Sequence, residues 1–204
     1  MTKNTNTHPP RGPSDHSVRL QVVEAATEHF GHFGFDKTTV SDLAKSIGFS
    51  KAYIYKFFDS KQAIGEVICT NRLAMIMNIV DAAIDGAPTA SEKLRRLFRA
   101  LTEAGCDLFF HDRKLYDIAV VATRDKWPSA EMHEERLRKL IEQILLEGRK
   151  TGEFERKTPL DEAAHAIYLV MQPYISPVQL QYNLETAESA AALLSSLILR
   201  SLSP

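Results

Sequence analysis

Cysteine is nearly absent: the 204-residue chain has only Cys69 and Cys106. Neither has a second cysteine or a histidine at metal-ligand spacing, which excludes a closely spaced structural zinc site. Two buried free thiols in a reducing compartment are the expectation. Glycine and proline, nine of each, are too few for a collagenous or low-complexity chain. No run approaches the roughly 18 to 20 apolar residues of a membrane span, so no membrane association is expected. The N-terminal stretch, with Pro9, Pro10 and Pro13, lacks the apolar core of a secretory signal. Residues 1–14 are expected to form a disordered tail, and the location is expected to be cytoplasmic. Charge of one sign is also missing: the net formal charge is −1, so the whole chain carries no basic signature of nucleic-acid binding. Alternating apolar residues, internal repeats, a glycine-rich phosphate loop and a nucleophile motif are all absent.

What is present is helical periodicity. Val18, Val22, Val23, Ala25, Ala26, Phe30 and Phe33 recur at steps dominated by three and four and predict an amphipathic helix ending at Gly34. Thr39 with Asp42 three residues on reads as a helix cap, and Leu43, Ala44 and Ile47 form an apolar face before Gly48. Ser50 opens a further short helix, Lys51 to Phe57. Asp59 with Gln62 predicts the start of a long helix from Ser60 to about Ile84. Further helices are expected to follow to about Phe110, over Asp112 to Thr123, from Pro128 to Gly148, from Thr158–Pro159 until Pro173 and Pro177 break it, and from Leu184 to Ser201. The fold class expected is all-α with about nine helices. Its units would be a small domain over 15–65 and a larger helical bundle over 66–204.

Charge divides along that boundary. Residues 1–65 carry 8 Lys or Arg against 6 Asp or Glu, whereas residues 66–204 carry 17 against 20. The stretch Thr38 to Lys61 has the form of a helix-turn-helix, in which one helix buttresses and the N-terminal residues of the next reach base edges. Leu43, Ala44, Ile47, Ile54 and Phe57 are placed to pack inward. Lys51, Ala52, Tyr53, Tyr55 and Lys56 are left facing out, where phosphates and bases would meet them.

This segment resembles the DNA-binding domain of the tetracycline-repressor family of bacterial regulators. The resemblance rests on Ala25, Ala26, Phe30, Gly34, Phe35, Thr38, Thr39, Leu43, Ala44, Gly48, Phe49, Ser50, Tyr55, Lys56, Phe58 and Lys61, in order and at the family's spacing over about 45 residues. It implies that Thr39 offers its hydroxyl and the free helix amides to a phosphate, and that Ser50 sets the angle of the recognition helix. By the same resemblance Lys51, Ala52 and Tyr53 are base readers, and Tyr55, Lys56 and Lys61 hold the DNA backbone. Its partners would be a double-stranded DNA operator, a second copy of the chain in a homodimer, and a small-molecule effector. No cofactor or metal is implied.

For the remaining 140 residues the sequence is less specific. Leu184, Ala187, Ala191, Leu194 and Ile198 form a stripe on the last helix, widened by Ala190, Leu193 and Leu197, and Ala187, Ala190, Ala191, Leu194 and Ile198 are the candidate dimer interface. Phe109, Phe110, His111, Tyr116, Trp127, Met171 and Tyr174 mix apolar and polar groups and are the candidate ligand pocket, though a helical core needs the same residues. His111, Asp112 and Arg113, or His133, Glu134 and Glu135, have acid–base chemistry, but neighbours on a helix diverge. No enzyme is expected. A DNA binder of the same fold without an effector, architectural or partnered by a protein, is the alternative, and a filled C-terminal core would favour it.

Overall fold

The computed structural model describes residues 15–204; the expected N-terminal tail lies outside the described residues. Among these, helices account for all regular structure and no strand forms. The order is α1 (Asp15–Phe33), α2 (Val40–Ser46), α3 (Lys51–Ile54), α4 (Lys61–Ile84), α5 (Ala90–His111), α6 (Arg113–Arg124), α7 (Pro128–Thr151), α8 (Leu160–Ile175), α9 (Pro177–Leu180) and α10 (Ala187–Ser201), with a 3-10 turn at Leu184–Thr186 before α10.

Several boundaries differ from expectation, each for a local reason. Ser60, not Asp59, caps α4: its hydroxyl accepts from the Ala63 amide at 3.0 Å. Regular helix in α3 stops at Ile54 and continues as turns to Phe57, held by bonds such as the Phe57 amide to the Ile54 carbonyl at 2.9 Å. Pro173 does not break α8, which runs through it to Ile175. Pro177 instead opens the separate short α9, as suits a residue with a preset φ and no amide proton to satisfy.

Two cores form. One gathers Val22, Phe30, Leu43, Ile54 and Phe58 of the first helices with Ile64 and Ile68 of α4. It also takes in Leu115, Ile118 and Ala122 of α6, and Trp127. The other is the bundle core, with Met77, Leu94, Leu97, Phe98, Ile141, Leu145 and Tyr168 among its members. Burial of each such large side chain contributes about 1.5–3 kcal/mol. The α4 helix serves both: Ile64 and Ile68 belong to the first core, Met77 and Val80 to the second. That double duty explains why its 24 residues are, contrary to the expectation from sequence, long and apolar enough to cross a membrane by length and composition. It also places residue 65 inside a continuous helix.

Both long helices of the bundle have N-terminal amides taken by a distant carboxylate. Glu153 accepts from the Ala90 and Ser91 amides at the start of α5, at 3.1 and 3.0 Å. Glu66 of α4 accepts from the Ser129 amide at the start of α7, at 3.1 Å. A carboxylate there satisfies orphan donors and complements the helix dipole.

Candidate functional site

The first three helices hold the basic groups in a defined frame. Thr39 caps α2 in a reciprocal capping box, its hydroxyl oxygen accepting from the Asp42 amide at 3.1 Å while the Asp42 carboxylate accepts from the Thr39 amide at 3.1 Å. The Thr39 hydroxyl proton is donated to the same carboxylate at 2.6 Å. These bonds hold the Asp42 carboxyl below its ordinary pKa. The hydroxyl expected to meet a phosphate is therefore already committed. Ser50 caps α3, accepting from the Tyr53 amide at 3.1 Å.

On α3 the side chains separate into two sets. Lys51, Ala52, Tyr55 and Lys56 are exposed. Tyr53 is not left outward as expected: it is half-buried, edge-on to Phe49 at 5.0 Å between centroids and to Phe57 at 5.3 Å. Phe49, Tyr53 and Phe57 are spaced by four residues, so one face carries all three rings. Phe57 is half-buried, and Phe58 beside it is the core residue. The ammonium groups of Lys51 and Lys56 lie over the rings of Tyr55 and Tyr53, at 5.7 and 5.6 Å from the centroids. Lys61 departs further from expectation. Its ammonium donates to the Phe35 carbonyl at 2.8 Å and sits 4.3 Å from the centroid of that ring, so it ties α4 to the α1–α2 turn.

A cavity of about 410 Å³ opens in the bundle between α4, α5, α6, α7, α8 and α9. Leu73, Leu101, Leu108, Leu137 and Leu180 form much of its wall, and Glu131, His133, Glu134, Tyr168 and Gln172 bring polar groups to it. Of the seven pocket residues expected from sequence, only Tyr116 lines it. Phe110 is 66% exposed and His111 is exposed at the end of α5. Phe109 packs on Tyr116 and under the Arg113 guanidinium. Trp127 belongs to the first core, Met171 is buried in the bundle core, and Tyr174 is half-buried outside the lining. The sequence marked the stretch richest in aromatics, but helix α5 turns those side chains away. His133 and Glu134, neighbours expected to diverge, both reach the cavity. Their only sequence signal was acid–base character.

The α6–α7 turn joins the cavity to the first core. Lys126, which lines the cavity, has φ 53 and fills the left-handed position of a helix-ending motif in which the Trp127 amide bonds to the Ala122 carbonyl at 2.8 Å. Trp127 then packs edge-on against Phe35 at 5.4 Å. Gly65 of α4 is the surface beneath both rings: a Cβ there would lie 2.9 Å from Phe35 and 3.0 Å from Trp127. One residue further, Ser129 is bonded to Glu66, whose other carboxylate oxygen is buried without a partner. The first turns of α7 thus touch α4 through Trp127 and Ser129 and face the cavity through Ala130, Glu131, His133 and Glu134.

The stripe expected to form a dimer interface is mostly internal. Ala187, Ala190, Ala191 and Ile198 are buried within the chain, and Leu194 is half-buried, because α10 lies against α5 and α8. Two of the widening residues are exposed, Leu193 at 69% and Leu197 at 54%, and Leu169 and Val170 of α8 are exposed too.

Residues 22–67 match the family described as bacterial regulatory proteins, tetR family, and residues 90–193 match the tetracyclin repressor-like C-terminal domain. The chain belongs to the tetR family. It is a helix-turn-helix transcriptional regulator by that membership. Among relatives, the HTH-type transcriptional regulator BetI of Cronobacter sakazakii is 25% identical over 84% of this chain and 85% of its own length. The uncharacterized HTH-type regulator YhgD of Bacillus subtilis is 32% identical over 82 residues, and the match spans 43% of that protein and 40% of this one. A solved transcriptional regulator from Cytophaga hutchinsonii has the same fold, with a TM-score of 0.68 and 19% identity over 92% of this chain and 99% of its own.

Proposed function

We propose that this tetR-family protein is a cytoplasmic repressor that binds a palindromic operator as a homodimer and leaves it when a small molecule occupies the bundle cavity. The observation that carries the reading is the pairing of two features in one chain: an α3 N-terminus with Lys51 and Ala52 exposed, and a partly open cavity of about 410 Å³ some helices away. A cavity of that size lies within the range of small-molecule sites. It favours the effector reading over a DNA binder with a filled bundle. In the reading, Lys51 and Ala52 address base edges. Lys56, Tyr55 and the open amides at the start of α2 address phosphates.

Dimerisation uses the exposed residues of α8 and α10, Leu169, Val170, Leu193 and Leu197, meeting their two-fold copies in a four-helix contact. It places the two recognition helices about 34–36 Å apart on one face of the duplex. Release is a population shift: a ligand that binds the splayed form better lowers operator affinity by that difference. The element biased by both sites is the α7 N-terminus, which faces the cavity on one side and holds α4 through Glu66 and Trp127 on the other.

The test is capture of genomic DNA fragments by the purified chain, followed by footprinting and mass measurement of the complex. The expected result is a protected palindrome with two protomers per operator. The double variant Leu193→Asp, Leu197→Asp should be a folded monomer with operator affinity lowered at least a hundredfold. Full-affinity binding by that monomer, or a protected site without two-fold symmetry, refutes the reading.

A further inference from the structure

The polar groups around the cavity are not evenly distributed in kind. Glu131, His133 and Glu134 come from α7 and Tyr168 and Gln172 from α8, with Tyr116 and Thr123 of α6, Lys126 and Ser176 contributing the rest. Leu101 and Leu108 of α5 and Pro177 and Leu180 of α9 supply apolar lining. A ligand oriented by this cavity has an apolar body against α5 and α9 and a polar head against α7 and α8.

The charge of that head follows from what the polar end offers. Among the described residues no arginine lines the cavity, and one lysine, Lys126, does so from an exposed position. Two carboxylates stand against it. The Glu131 side chain, exposed like that of Lys126, makes no ion pair or hydrogen bond among the described residues. Glu134 shares its carboxylate between the Tyr168 hydroxyl, which donates to it, and Arg138, one nitrogen of which lies 3.8 Å away while another bonds to Glu135 at 3.1 Å. His133 makes no hydrogen bond to another described residue. Burial and the nearby Arg136 hold its pKa down at about 4, so it is a neutral imidazole at physiological pH and supplies an acceptor nitrogen instead of a positive charge. Tyr168 and Tyr116 also line the cavity, the Tyr116 ring already having the Arg113 guanidinium 5.6 Å from its centroid. An anionic head would meet two carboxylates and a neutral imidazole against the single ammonium of Lys126.

Resting on the effector reading above, we propose that the cavity takes an amphipathic amine: an apolar body carrying a protonated amino group that Glu131, Glu134 and His133 accept. Selectivity then lies in the sign of the head group, since the apolar wall accepts any body of suitable size.

The test uses three probes of equal chain length, octylamine, octanol and octanoate, in calorimetric titrations of the full chain at pH 7 and below their aggregation concentrations. Octylamine is expected to bind at least tenfold more tightly than octanol, and octanoate more weakly than octanol. In Glu131→Gln and Glu134→Gln the amine advantage should shrink to threefold or less while octanol affinity stays unchanged. That unchanged value also certifies a folded cavity. Octanol or octanoate matching octylamine, no binding of any of the three to a natively folded chain, or an undiminished amine advantage in both variants, overturns the proposal. Operator release is measured in parallel. If octylamine binds with the expected preference and the operator stays bound, the effector reading fails and the ligand class stands. If octanol or octanoate releases the operator more effectively than octylamine, the ligand class fails and the effector reading stands.

Discussion

Lys56 and Lys61 both look like phosphate ligands in the sequence, and the structure separates them. Lys56 is exposed and has no carboxylate partner, only the Tyr53 ring beside it. Lys61 spends its ammonium on the Phe35 carbonyl and ring. Replacing Lys56 with alanine should therefore remove one phosphate contact per protomer, two in the dimeric complex. Each neutralised phosphate contributes about 0.9 to the slope of log affinity against log salt, so the slope should flatten by about 1.8. Between about 50 and 200 mM salt the wild type should then lose roughly 12-fold more affinity than the variant. Lys61→Ala should leave that slope where it is. It should instead cost about 1–2 kcal/mol of stability through the lost charge-assisted bond, lowering Tm by about 2–8 °C in a chain of this size. The assay is fluorescence anisotropy of a labelled operator at four salt concentrations, with calorimetric melting of each protein. An unchanged slope for Lys56→Ala refutes the phosphate assignment. A slope change of similar size for Lys61→Ala, with unaltered Tm, refutes the separation of the two lysines.

Gly65→Ala would press a methyl group into the Phe35 and Trp127 rings. Over-packing of about 1–3 kcal/mol should outweigh the gain of roughly 1 kcal/mol in helix propensity. The emission of Trp127, the single tryptophan, should shift with it, and an unshifted spectrum with raised Tm would contradict the close packing. His133 carries a pH dependence of definite sign. Its pKa in the folded chain is about 4 against an ordinary 6.5, so between those values the unfolded chain binds the proton more readily. Its contribution to stability is fully present above pH 6.5 and declines as pH falls towards 4, by up to about 1.4 kcal/mol per pH unit. Denaturant titrations across pH 4–7 should show a shallower decline for His133→Gln than for the wild type; parallel curves would refute the assignment.

Local signals in the sequence carried the reading head because its determinants are short-range. The Thr39–Asp42 box and the Ser50 cap act over three residues, and the turn between α2 and α3 over four, so periodicity and capping sufficed to place them. The same local reasoning misplaced the start of α4 by one residue, since Asp59 and Ser60 are both capping residue types and only the backbone distinguishes them. It also left Tyr53 outward, because the row formed with Phe49 and Phe57 becomes visible only once the turn brings Phe49 onto the same face.

By itself, then, the amino-acid sequence determined an all-helical chain, a helix-turn-helix over 38–61 and its kinship with the tetR family, all of which rest on patterns within a turn or two of helix. Tertiary structure decided which groups are free to act. Lys61 is spent on a carbonyl 26 residues away, and the apolar stripe of α10 is consumed by α5 and α8, leaving Leu193 and Leu197 outside. The cavity is assembled from six helices, whose facing sides no spacing along the chain encodes. Side chains that meet across such distances are selected by the packing of whole helices, and that packing places His133 and Glu134 in the cavity and Phe110 and His111 at the surface.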